Sequence, residues 1–114
     1  MTKEPVLYIV TTETTPDMEE KFNKWYDEVH VPMLLGYEGI KKATRYKITN
    51  DMGENKGQAT YLACYEFEDE EAFNGYLKSP ALAAALKDTD KTWKDGGYSK
   101  TWRAAYQLIR SWER

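Results

Sequence analysis

The stretch from Gln58 to Phe67 constrains the fold more than any other. Ala59, Tyr61, Ala63, Tyr65 and Phe67 recur at every second position, and Leu62 and Cys64 between them are apolar too. Alternation of this kind is the period of a β-strand. A strand that is apolar on both sides must be covered on both sides, which one layer of helices cannot do. Two other runs repeat the pattern. Val6 to Thr12 is β-branched and aromatic throughout, and Thr101 to Trp112 sets Trp102, Ala104, Tyr106 and Leu108 against Ala105 and Ile109. A fourth strand is expected over Ile40 to Ile48, where Ile40, Lys42, Thr44, Tyr46 and Ile48 alternate with the remainder.

Helices fall between these strands. Thr15-Pro16-Asp17 supplies a capping hydroxyl, a proline for the first turn and an acid at the positive end of the helix dipole. Met18, Phe22, Trp25 and Val29 follow at helical spacing as one apolar stripe, and Pro32 and Gly36 are expected to end the helix. Asp69-Glu70-Glu71 opens a second helix with Ala72, Phe73, Tyr76 and Leu77 inward. Ser79-Pro80 breaks it, and Pro80 to Leu86 resumes as a turn or short helix. Asn50 to Gly57 reads as a hairpin loop, and Asp88 to Lys100 as a polar segment with Trp93 and Tyr98 embedded and a Gly96-Gly97 turn.

The order is β-α-β-β-α-β over residues 1–114, one α+β domain with no internal repeat and no dividing linker. It implies a four-stranded antiparallel sheet with both helices on one face. The other face, apolar in three strands, then becomes an association surface, and a two-fold homodimer burying sheet against sheet is the expected solution.

Composition narrows the partners. The net charge is −3, with Lys and Arg scattered among Asp and Glu, so neither nucleic acid nor an anionic membrane is an expected partner. Cys64 is the only cysteine and reads as a buried thiol in a strand. Met1 to Pro5 has no apolar signal region, which leads to the expectation of a cytoplasmic protein. Nine Tyr, four Trp and three Phe are many for 114 residues, and they suit pocket walls, interfaces and cores alike.

Two stretches carry a resemblance. Phe22-Asn-Lys-Trp-Tyr-Asp-Glu-Val-His-Val-Pro32, followed by Gly39-Ile40, is similar to the helix-to-strand passage of the EthD-like proteins of the dimeric α/β-barrel superfamily. Glu70-Glu71-Ala72-Phe73, with Tyr76-Leu77-Lys78-Ser79-Pro80-Ala81 after it, resembles their second helix and its Ser-Pro break. The resemblance implies a ferredoxin-like fold, a homodimer, and a small-molecule pocket between the helices and the sheet. The superfamily includes polyketide cyclases, cofactor-free monooxygenases, lactone isomerases and haem-degrading enzymes, so fold does not decide function.

His30 is the only histidine. Helical spacing sets it beside Tyr26, with Asp27 three residues back and within reach of the ring. A carboxylate there would hold one nitrogen and leave the other to act as acid or base. The alternative is a histidine that merely pairs with Asp27 or caps the helix end. The resemblance places a histidine here facing the cleft. It also sets Tyr76 where plant-type cyclases of the superfamily use a tyrosine, although their following histidine corresponds to Leu82 here. Tyr76 is thus either a hydrogen-bond donor to a substrate carbonyl or a core tyrosine. Phe22, Trp25, Tyr26, Leu82, Trp93 and Trp102 are candidate ligand-binding residues, with Trp93 on a segment that would close over the pocket.

No second histidine exists for a metal triad, the second-helix region carries no histidine of the kind that haem-degrading members use, and no phosphate loop or nucleophile elbow is present. The expectation is therefore an enzyme without cofactor or metal. It would act on a small apolar, oxygenated or aromatic compound as an isomerase, cyclase, lyase or monooxygenase. A ligand-binding or accessory protein using the same pocket is the rival, and a purely structural dimer the third reading.

Overall fold

The structure, a computed structural model, describes residues 3–54 and 57–114. Its elements are β1 (Val6–Thr14), α1 (Glu19–Trp25), α2 (Val31–Leu34), β2 (Ile40–Lys47), β3 (Tyr61–Phe67), α3 (Glu70–Leu77), α4 (Pro80–Thr92) and β4 (Tyr98–Gln107). The strands form one antiparallel sheet in the order β2-β3-β1-β4. This is the expected α+β, ferredoxin-like arrangement. The Asn50–Gly57 loop contains Asn55 and Lys56, which lie outside the described residues, as do Met1 and Thr2.

The core lies on the face that the helices cover. Val6, Tyr8 and Val10 of β1 pair with Phe67, Tyr65 and Ala63 of β3, and all six side chains are buried. Phe22, Tyr26 and Leu34 from the first helical stretch and Tyr76 and Ala85 from the second close over them. Complete burial of a side chain such as Phe22 contributes about 1.5–3 kcal/mol from water exclusion. Asp69 accepts the Ala72 N–H at 2.9 Å to start α3, and Ser79 accepts the Leu82 N–H at 3.1 Å to start α4.

Two bulges set which residues face inward. Between Ile40 and Lys42 the β2–β3 register shifts, so Ala43, Arg45 and Lys47 lie opposite Tyr65, Ala63 and Tyr61. Plain alternation from Ile40 predicted Lys42, Thr44 and Tyr46 on that side, and the bulge reverses it. A second shift, between Thr11 and Thr12, leaves Thr101 of β4 without a ladder partner. The Thr11 hydroxyl takes up the irregularity. It accepts the Trp102 N–H at 3.1 Å, donates to the Trp102 carbonyl at 3.0 Å and contacts the Thr101 hydroxyl at 2.6 Å.

Several boundaries differ from the expected ones. The second helical stretch runs on to Thr92 rather than stopping near Leu86, because Ala85 and Thr89 continue its buried stripe and the Thr89 hydroxyl bonds back to the Ala85 carbonyl at 2.8 Å. β3 begins at Tyr61, since the Thr60 N–H goes to the Glu13 carboxylate at 2.9 Å. β4 ends at Gln107 rather than Trp112, because its partner strand ends at Val6 and Pro5 has no N–H to extend the ladder. Leu77 is half exposed rather than inward, at the end of α3.

Among the described residues no helix covers the opposite sheet face. Leu7, Ile9, Leu62 and Cys64 are half-buried there, and Trp102 and Tyr106 of β4 are 40% and 53% exposed. An apolar surface this broad matches the two-faced strands read from the sequence. No helix of the described residues is long and apolar enough to cross a membrane.

Candidate functional site

Pro32 organises the site. It lacks the N–H that an uninterrupted α-helix would use, and its ring crowds the preceding turn. The chain responds by widening that turn over Tyr26–His30, where the Val31 N–H bonds to the Tyr26 carbonyl five residues back. The helix therefore continues through Pro32 to Leu34 instead of ending there. A widened turn brings residues four and five apart onto one side. His30 accordingly stacks on Trp25, with ring centroids 4.6 Å apart, and meets Tyr26 edge-on at 4.9 Å. Tyr26 and His30 are buried, whereas Val29 turns outward, the reverse of the stripe that α-helical spacing predicted.

The same turn carries Asp27 away from the imidazole. Arg45 donates to the Asp27 carboxylate at 2.6 Å and to the Asn23 side-chain oxygen at 2.9 Å, and its guanidinium lies 4.4 Å from the Tyr26 ring centre. The expected Asp27–His30 contact is not made. Asp27 is 61% exposed, so its ion pair contributes about 0–1 kcal/mol. The acid that bears on His30 is Asp88 of α4, which accepts the Trp25 indole N–H at 2.9 Å and so fixes the ring on which His30 stacks.

His30 borders a narrow, partly open cavity of about 50 Å³ between the helices and the sheet, room for a few water molecules at most. Tyr8, Val10 and Tyr65 form its floor, and Tyr26, Leu34 and Tyr76 its walls. Leu77, Leu82 and Leu86 border it on the side of α3 and α4, and Lys100 and Arg103 of β4 on the other. Nδ1 of His30 and the hydroxyl of Tyr65 are buried with no hydrogen-bond partner among the described residues. Unsatisfied polar groups on two residues that line one narrow cavity cost stability and mark it, rather than the larger open depressions, as the candidate site. One such depression, about 590 Å³ beside Arg45 and Tyr61, is lined by groups already engaged with one another, including Tyr61 donating to Glu19.

Burial lowers the His30 pKa from 6.5 to about 4. Lys100 pushes in the same direction, Asp88 opposes it, and Arg45 adds to the lowering. The ring is therefore neutral at neutral pH. Burial raises the phenol pKa values of Tyr26, Tyr65 and Tyr76, so all three hydroxyls stay protonated and able to donate. The Tyr26 and Tyr65 hydroxyls interact electrostatically, but without geometry that satisfies Tyr65. Lys100 is pushed down by burial and by its neighbour Arg103.

Of the residues singled out in the sequence, His30, Tyr26, Tyr76 and Leu82 come together at the cavity. Trp25 stands behind His30 as its stacking partner, and Phe22 is wholly buried in the core behind Tyr26. Trp93 is not on a closing segment. It ends α4, is 7% exposed and packs on Trp25, Phe22 and Tyr98. Trp102 lies on the open sheet face, because its neighbour Arg103 pairs with inward-facing Val10. Tyr8, Tyr65, Lys100, Arg103 and Asp88 were not singled out. The parity of Arg103 relative to Trp102 was legible, but Lys100 shares the parity of Trp102 and faces the cavity because of the bulge at Thr101. Among the described residues no group of three or more His, Cys, Asp or Glu side chains is placed to hold a metal ion.

The profile of DUF4286, a domain of unknown function, matches residues 5–99. The chain belongs to the DUF4286 family. No curated protein sequence matches this DUF4286 chain significantly. Solved structures share its fold at low identity. A DABB-family protein with a ferredoxin-like fold from Mesorhizobium loti superposes with a TM-score of 0.72 at 13% identity, covering 94% of this chain and 99% of that one. An EthD-family protein from Bacillus halodurans gives 0.65 at 15% identity over 93% and 99%. SnoaB from Streptomyces nogalater, a cofactor-independent oxygenase, gives 0.64 at 11% identity over 95% and 96%. The DUF4286 chain thus has the ferredoxin-like fold of the EthD and DABB proteins, as the two sequence stretches implied.

Proposed function

We propose that the chain takes a small, largely apolar, oxygenated or aromatic compound into the His30 cavity and moves a proton on it without a cofactor. The observation that carries this reading is the buried Nδ1 of a neutral His30, without a partner among the described residues, on a residue that lines the same narrow cavity as Tyr65, whose hydroxyl is likewise without one. A neutral imidazole nitrogen accepts a proton from an acidified C–H or O–H. Protonated Tyr65 and Tyr76 would donate hydrogen bonds to the substrate oxygen on which charge develops. Isomerisation, cyclisation, elimination and oxygenation all begin with such a step. The likeness in fold to a cofactor-independent oxygenase is in keeping with it. Two copies pairing through their open sheet faces, in the cytoplasm, complete the reading.

A second reading, a binding protein without turnover, is favoured by one observation. No carboxylate among the described residues bonds to Nδ1 of His30, and its pKa of about 4 makes it a weak base. Native mass spectrometry of the purified protein reads both the dimer and any compound that travels with it. With that compound in hand, His30→Ala should retain binding and lose turnover. Turnover that survives the substitution removes His30 from the mechanism, and binding without turnover in the unaltered protein selects the second reading.

A further inference from the structure

We propose that the compound held against His30 is an organic anion, a planar unsaturated or aromatic carboxylate whose charge is taken by Lys100 and Arg103. This rests on the reading of the His30 cavity as a ligand site and names the class of ligand.

The argument starts from β4. An unbroken strand would put Lys100 and Arg103 on opposite sheet faces, three residues apart. The bulge at Thr101 instead brings both to the helix side, opposite Thr12 and Val10. Both then border the cavity, and among the described residues no Asp or Glu does. Neither cation forms an ion pair with a carboxylate among the described residues, where Asp27 is taken by Arg45 and Glu19 by Lys47. Asp90 acts on Lys100 only from beyond ion-pair distance.

Lys100 and Arg103 are exposed at the rim of the cavity, where two like charges repel each other and draw an anion. Lys100 records the repulsion, since Arg103 lowers its pKa beyond the effect of burial. The remaining walls select the body of the ligand. Tyr8, Tyr26, Tyr65 and Tyr76 offer aromatic faces, and Leu82 and Leu86 an apolar edge, as a flat conjugated skeleton requires. A cavity of about 50 Å³ is smaller than a ring acid, so it must widen when such a ligand enters. Bound negative charge would also reverse the field that Lys100 and Arg45 place on His30, making the ring a better base only when the ligand is present.

Benzoate and its neutral counterpart benzyl alcohol test this. Each is titrated into the intact 114-residue chain while the ring signals of its single histidine are followed by NMR. Benzoate should bind at least tenfold more tightly than benzyl alcohol and shift the histidine signals. The double substitution Lys100→Gln with Arg103→Gln should remove that preference and leave benzyl alcohol binding unchanged. The single substitutions report the same preference in part if the double variant does not fold. Equal affinity of the two probes, both moving the histidine signals, overturns the anion inference while the cavity reading stands. Benzoate binding that leaves the histidine signals unmoved, or that the substitutions do not weaken, also overturns it. If neither probe binds, the inference and the cavity reading fall together.

Discussion

Lowering the pH should expose the cost of burying His30. Above pH 6.5 the ring is neutral in both the folded and the unfolded chain, and its contribution to stability is complete. Between pH 6.5 and about 4 the unfolded chain takes up a proton that the folded chain refuses, so stability falls as the pH falls through that window. Below about 4 both forms are protonated and the penalty levels off. A displacement from 6.5 to about 4, at about 1.4 kcal/mol per pH unit, corresponds to roughly 3 kcal/mol. His30→Phe keeps a flat ring for Trp25 to stack on and removes the titration. Urea denaturation of both proteins from pH 7 to pH 4 isolates the term, because every other group titrates in both. The stability gap should move in favour of His30→Phe by roughly 3 kcal/mol across that range. The chain has one histidine, so its NMR titration is unambiguous. A midpoint near 6.5, or a stability gap independent of pH, would refute the reasoning that the ring is desolvated.

Three further perturbations follow from the geometry. Asp27→Asn should cost no more than about 1 kcal/mol and leave the histidine titration in place, since Asp27 pairs with Arg45 across an exposed edge; a moved midpoint would restore the direct Asp27–His30 coupling. Gly97→Ala should cost about 1–3 kcal/mol in chemical denaturation, because Gly97 sits at φ +100° with its carbonyl held by the Thr15 N–H and the Thr14 hydroxyl; unchanged stability would show that the turn relaxes. Trp102→Glu should convert a sedimenting dimer into a monomer by placing a charge on the open sheet face. Wild-type protein that sediments as a monomer, or a variant that still pairs, removes that face from the assembly.

Much of the architecture was legible because it depends on periodicities that the chain itself carries. The two-faced apolar run of β3 and the Ser-Pro break required no knowledge of neighbours. Trp93 was misread for the opposite reason. Flanked by lysines, it looks solvent-facing, yet at the C-terminal end of α4 it packs against Trp25, a contact between segments nearly seventy residues apart. Trp102 was assigned to the pocket as an aromatic residue, while its strand register puts it on the other side of the sheet.

The sequence by itself determined the order of elements, the apolar character of both sheet faces and the place of the single histidine in the first helical stretch. Each of these is local, set by the side chains of a few consecutive residues. The tertiary structure decided which way the candidate side chains point. The widened turn ahead of Pro32 rotates His30 inward and Asp27 outward, and the bulge at Thr101 turns Lys100 toward the cavity. Both are single-residue departures from a regular period. A pattern read along the chain carries on past them, whereas packing against the sheet fixes on which side of the irregularity each residue comes to lie.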